Sequence, residues 1–255
     1  MTRPPADGGA TDTIVVSVHG LRIAARVGGS GEPVLLLNGL ARPMHSWVPF
    51  ASWLPGRTVI TYDGPGVGAS DTPILPLPMP TLADIATRVL DAVGVGSADV
   101  VGFSHGGAIA QQLAASHADR VNRLVLLATS CGAGAIPGRG RDAVRLWMAR
   151  RRATPWARPD PLGVLWQLVA ITTWSSIPLL ARIGAPTLVV CGKHDRTVPP
   201  ANSALLAARI PGAHLVTIPA GHDLQKPGPA AVVARLVDRF LRAGSRMATL
   251  SSPES

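Results

Sequence analysis

Charge is scarce in this sequence, and lysine is nearly missing. Charged residues make up 15% of 255, and only Lys193 and Lys226 carry an ammonium group. The net charge of +9 is therefore almost all arginine. A basic chain suits nucleic acid or acidic surfaces. No DNA- or RNA-binding motif accompanies the charge, so nucleic acid is not an expected partner. Cysteine is scarce too. Cys131 and Cys191 stand far apart without metal-ligand spacing, which reads as two thiols of a reducing cytoplasm. No window holds the roughly 18 apolar residues that a membrane span needs. The opening "MTRPPADGGATD" lacks the apolar segment of a secretory signal. A cytoplasmic location follows as an expectation. Internal repeats of roughly 20–50 residues are absent.

What is present is a globular composition, 47% hydrophobic, long enough for one sizeable core and a small insert. Apolar runs alternate with helical patterns. Residues 13–18 and 21–27 read as a hairpin around His19-Gly20. "PVLLL" (33–37) and "RTVITYD" (57–63) are short continuous runs, as strands buried on both faces should be. Leu82, Ile85, Val89, Leu90 and Val93 recur at helical spacing. Strand 98–103, helix 105–117 and strand 122–129 follow. Strand 185–192, helix 200–209, strand 213–219 and helix 230–241 close the chain. Such alternation predicts an α/β fold, a mostly parallel sheet flanked by helices. Residues 131–178 break the pattern and read as helical throughout. They hold Trp147, Trp156, Trp166 and Trp174, and seven arginines at 139, 141, 145, 150, 151, 152 and 158. A helical insert there is placed to cap a site at the strand ends. Its arginines read first as a solvated face, and second as a docking surface for something anionic or for a lipid or polymer surface. The expected division is a leader over 1–12, a core over 13–130 and 179–243, a cap over 131–178 and a flexible tail over 244–255.

The chemistry begins at "VVGFSHGGAIAQQLA" (100–114). Gly102-Phe103-Ser104-His105-Gly106 fits G-x-S-x-G, with a buried strand before it and a helix after it. In that setting Ser104 stands exposed at the elbow, at the positive end of a helix. A serine hydroxyl is a weak nucleophile and needs a positioned base. His105 is its neighbour and points elsewhere, but its backbone N–H suits an oxyanion. "VVCGKHDRTVPP" places Asp195 after one late strand, and "IPAGHDL" places His222 after the next. The order Ser104, Asp195, His222 is the one this architecture needs. His194 and Asp223 are adjacent decoys. The second oxyanion donor is expected from "NGLARPMHSW" (38–47), at the N–H of Leu40, with Asn38 tying the loop down. His45, Trp166 and Trp174 are candidates for a substrate pocket. The Gly-rich "DGPGVGASD" (63–71) lacks the Lys-Ser/Thr of a phosphate loop and reads as a turn packed under the site.

The stretches "VLLLNGL", "YDGPGVGAS", "VVGFSHGGAIAQQLA", "PTLVVCGKHDRTVP" and "IPAGHD" together resemble the α/β-hydrolase superfamily. The resemblance covers nearly the whole chain outside both ends. Within it, the chain is similar to intracellular medium-chain-length poly(3-hydroxyalkanoate) depolymerases. The carriers are Asn38-Gly39 opening the oxyanion loop, "GGAIAQQLA" after the elbow, and "LWQLVAITTWSSIPLLARIGAPTLVV" (165–190). The resemblance implies nucleophile Ser104, acid Asp195 and base His222, no cofactor and no metal. It implies a carboxylic ester as substrate and a polyester granule surface as a partner. His105 departs from it, standing where that family carries tryptophan, and the insert is shorter than the family's lid. A small-ester or lactone esterase and a C–C bond hydrolase are the alternatives on the same triad. A non-catalytic granule- or partner-binding scaffold is the third.

Overall fold

The computed structural model describes residues 11–140 and 160–248. Eight strands form one sheet: β1 (Thr11–Val18), β2 (Leu21–Gly29), β3 (Glu32–Leu37), β4 (Arg57–Tyr62), β5 (Ala98–Phe103), β6 (Val121–Leu127), β7 (Thr187–Gly192) and β8 (His214–Ile218). Their order is β1-β2-β4-β3-β5-β6-β7-β8. β1 and β2 form the antiparallel hairpin, and β2 pairs antiparallel with β4. From β4 to β8 every neighbouring pair is parallel. The described helices are α1 (Val48–Ala51), α2 (Met79–Ala92), α3 (His105–Ser116), α4 (Pro161–Thr173), α5 (Pro200–Arg209) and α6 (Pro229–Ala248).

The apolar strands are continuous runs because both faces of the sheet are covered. In β3, Leu35 and Leu37 join the core under α2 and α3, while Val34 and Leu36 join the core under α1 and α6. Each such side chain, fully buried, stabilises the fold by about 1.5–3 kcal/mol. α2 begins three residues before the apolar stripe does. Pro80 occupies its first turn, where a proline's missing N–H has no intrahelical partner to lose. α6 runs to Ala248, past the expected end at residue 241 and into the segment expected as a tail. β1 likewise starts at Thr11, inside the expected leader.

The expected insert differs in kind. Residues 131–139 are not helical. Gly132 forms an isolated antiparallel bridge with Ser175, and the N–H of Ser176 donates to the Cys131 carbonyl. α4 is the helix of this region that the described residues contain. Trp147, Trp156 and all the region's arginines except Arg139 lie outside the described residues. Arg139 is exposed, and its backbone N–H donates to the Arg196 carbonyl. No helix among the described residues is long and apolar enough to cross a membrane.

Candidate active site

Three loops meet at the C-terminal ends of the parallel strands, where open α/β sheets place their sites. The first is the elbow between β5 and α3. Ser104 has φ 52° and ψ −116°, a strained conformation for a residue with a Cβ. It is held by its N–H donating to Leu127 O at 2.9 Å and by its carbonyl accepting from Thr129 Oγ1 at 2.7 Å. The elbow is this tight because its flanks carry no side chains. A Cβ on Gly102 would lie 2.5 Å from the Gly106 carbonyl oxygen, and one on Gly106 would run into the Leu37 carbonyl.

The loops after β7 and β8 bring the other two residues. Asp195 is buried, and its Oδ1 accepts from the N–H groups of Thr197 and Val198, each at 2.9 Å. Its Oδ2 lies 2.8 Å from His222 Nδ1, and His222 Nε2 lies 3.1 Å from Ser104 Oγ. A carboxylate only accepts, so Nδ1 carries the proton and Nε2 is left to accept from the serine hydroxyl. The ring of His222 leans on Phe103, with centroids 5.2 Å apart. His194 is exposed. Asp223 instead forms a salt bridge with Arg42, at 2.8 and 3.3 Å.

The loop after β3 passes beside the elbow, and a Cβ on Gly39 would meet the Phe103 ring at 2.8 Å. Asn38 does tie this loop down. Its Nδ2 donates to Pro43 O at 2.8 Å and to Ser46 Oγ at 2.9 Å, and its Oδ1 accepts from Gln225 Nε2 at 3.1 Å. The N–H of Leu40 has no acceptor among the described residues. The N–H of His105 is the first of α3, among the donors a helix leaves without an internal partner.

The turn over 63–71 packs under this loop. Asp63 accepts from the N–H of Met44 at 2.6 Å and of Ala69 at 3.0 Å. Burial raises its pKa, and those two bonds oppose the rise. Gln167, on α4, was not singled out in the sequence. Its Oε1 accepts from the Ala41 N–H at 2.9 Å and its Nε2 donates to Pro65 O at 3.3 Å. It clamps the insert to both loops at once.

A small cavity of about 30 Å³ lies beside the elbow, lined by Gly39, Arg42, Tyr62, His105, Ile109 and Gln167 among others. His105 is buried, its Nε2 has no hydrogen-bond partner, and burial lowers its pKa to about 4. The three expected pocket residues are not brought to this cavity. His45 is exposed and faces the charge of Asp63. Trp166 donates its indole N–H to Pro73 O at 3.0 Å, and Trp174 donates to Gln112 Oε1 at 2.8 Å. Those indoles tie α4 and the residue that follows it to the loop before α2 and to α3. No cluster of three or more metal-ligating side chains occurs among the described residues.

The family model for the alpha/beta hydrolase fold matches residues 32–137 and 133–229. A poly(3-hydroxyalkanoate) depolymerase of Ectopseudomonas oleovorans is 35% identical over 268 residues, covering 93% of this chain and 94% of that protein. A 2-hydroxymuconate semialdehyde hydrolase of Pseudomonas sp. (strain CF600) is 35% identical over 130 residues, covering 49% of this chain and 46% of that protein. Among solved structures, the enol-lactonase of Burkholderia xenovorans LB400 superimposes with a TM-score of 0.80 at 26% identity, covering 90% of this chain and 100% of that one. Matched in sequence along most of its length and in the course of its sheet, this chain belongs to the α/β-hydrolase family.

Proposed function

We propose that this hydrolase cleaves carboxylic esters through an acyl-enzyme on Ser104, with a poly(3-hydroxyalkanoate) or its oligomers as substrate. The observation that carries the reading is the hydrogen-bonded relay from Asp195 through His222 to Ser104, set on a strained elbow. Ser104 Oγ attacks the ester carbonyl while His222 Nε2 takes the hydroxyl proton. Asp195 holds the imidazole and stabilises the imidazolium. The N–H groups of Leu40 and His105 hold the oxyanion, each worth roughly 10²–10³ in kcat. The carbonyl reforms, the C–O bond breaks, and His222 hands the proton to the leaving alcohol. Water then attacks the acyl-enzyme, gives a proton to His222, and the acid departs as Ser104 regains its proton.

The polyester half of the reading is supported by the depolymerase relative, whose similarity spans nearly the whole of both chains. Residues 131–178 would then serve as a cap over the site, a role that suits the clamp made by Gln167. Two buried free thiols, Cys131 and Cys191, suit a cytoplasmic setting. The test is a panel of p-nitrophenyl butyrate, p-nitrophenyl octanoate, an enol lactone, a vinylogous diketone and an emulsified medium-chain polyester. Release of hydroxyacids from the emulsion is expected. Turnover confined to the lactone or the diketone would sink the polyester assignment while leaving the triad standing.

A further inference from the structure

A second cavity, of about 440 Å³, lies on the other face of the sheet. The small cavity by His105 is lined by Tyr62 and Ile109, which belong to the core under α2 and α3. This one is lined by Trp47, Leu54 and Val59, which belong with the core under α1 and α6. Along β4 the two sets alternate, so the sheet itself separates the cavities. The trough exists because α1 is a single turn, Val48–Ala51. It leaves the near part of β2 uncovered and Val48 55% exposed.

The polar groups of the trough are unequally answered. Arg57 is paired with Asp99 at 2.7 Å. Arg26 lines the same cavity half-buried and has no carboxylate partner among the described residues. An apolar trough carrying a guanidinium that no carboxylate of the described residues answers suits an anion on an apolar tail. A carboxylate matches a guanidinium in shape as well as charge. The volume falls in the range of small-ligand sites.

We infer that this cavity binds a carboxylate carrying an apolar chain, at a site separate from Ser104. The acid released by ester hydrolysis belongs to that chemical class, but the inference stands on the cavity and does not need the esterase reading. Decanoate is the probe, titrated calorimetrically into the full chain. Arg26→Gln should weaken its binding about tenfold, close to 1.4 kcal/mol. Val48→Trp, at a tolerant surface position, should fill the trough and weaken binding at least as much. Decanol should bind the wild-type protein about tenfold more weakly than decanoate does, and should not distinguish it from Arg26→Gln. Melting curves check that both variants fold, and the decanol comparison needs no variant for its first arm. Absence of decanoate binding, or binding that neither variant alters, overturns the inference. So does a loss seen only in Val48→Trp, which would make the ligand uncharged. A wild-type dimer that Val48→Trp dissociates would make a second copy of the chain the occupant, and overturns it as well.

Discussion

At Ser104 the backbone is held at φ 52°, a conformation that costs a non-glycine residue on the order of 1–3 kcal/mol. The neighbours that hold it there, Thr129 and Leu127, lie on the adjacent strand and its following loop, so the cost is met by the sheet. The same residue-scale logic applies to Asp195. Its Oδ1 is satisfied by two backbone N–H groups, so Asp195→Asn should keep the loop but present the wrong tautomer partner to His222. kcat should fall by roughly 10⁴ with the melting temperature little changed; steady-state kinetics alongside calorimetry check it. His105 makes a different prediction. Its pKa falls from 6.5 to about 4 on folding because burial disfavours the charged ring. The unfolded chain therefore binds the proton first. Stability is whole above pH 6.5 and is lost as pH falls toward 4, by about 3 kcal/mol across the window. The raised pKa values of Asp63 and Asp99 act with the opposite sign. The clean measurement is thus a difference: His105→Phe should be less acid-sensitive than the wild type in pH-dependent denaturant melts. Equal slopes would contradict it.

At the scale of elements, the site is a matter of loops fastened to one another. Arg42 reaches from the loop after β3 to Asp223, beside His222, and lies over the Phe103 ring with its guanidinium carbon 5.2 Å from the centroid. Gln225 reaches back to Asn38 from the same loop. A double-mutant cycle with Arg42→Gln and Asp223→Asn should give a coupling of about 1–3 kcal/mol in stability, and each single variant should lower kcat more than it raises KM for p-nitrophenyl octanoate. At the elbow, Gly106→Ala should cost at least about 2 kcal/mol, since its Cβ would meet the backbone carbonyls of both Leu37 and Asn38; chemical denaturation reads this. These elements differ in how far the sequence alone discloses them. β3, β5 and β7 are legible because a strand covered on both faces carries a nearly continuous apolar run, as in "VLLL", "VVGF" and "LVVC". The start of α2 is not, because "PLPMP" has no periodicity and its proline occupies a first turn that tolerates it. The end of α6 is not, because "RAGSRMA" has no apolar stripe to continue. The Arg42–Asp223 pair joins residues 181 apart, and no local pattern announces such a contact. Gln167 is hidden for the same reason, a lone amide in a mostly apolar helix.

For the whole molecule, the relay of Ser104, His222 and Asp195 rests on one sheet whose parallel strands end together. Residues 118 and 27 positions apart meet there within hydrogen-bond distance. Their order along the chain was readable because a parallel sheet with short connections puts each strand's following loop on the same edge. The pocket was not readable. Tryptophans in an insert placed to cap the site suggest a pocket lining, yet the indole N–H groups of Trp166 and Trp174 are spent on Pro73 and Gln112. The central claim is that Ser104 is the activated nucleophile. The most direct measurement is intact-protein and peptide mass spectrometry after reaction with a fluorophosphonate at neutral pH. The account predicts a single phosphonyl adduct on the peptide holding Ser104, absent in Ser104→Ala and strongly slowed in His222→Ala. Unchanged labelling of Ser104→Ala, or an adduct mapped to another serine, would contradict it.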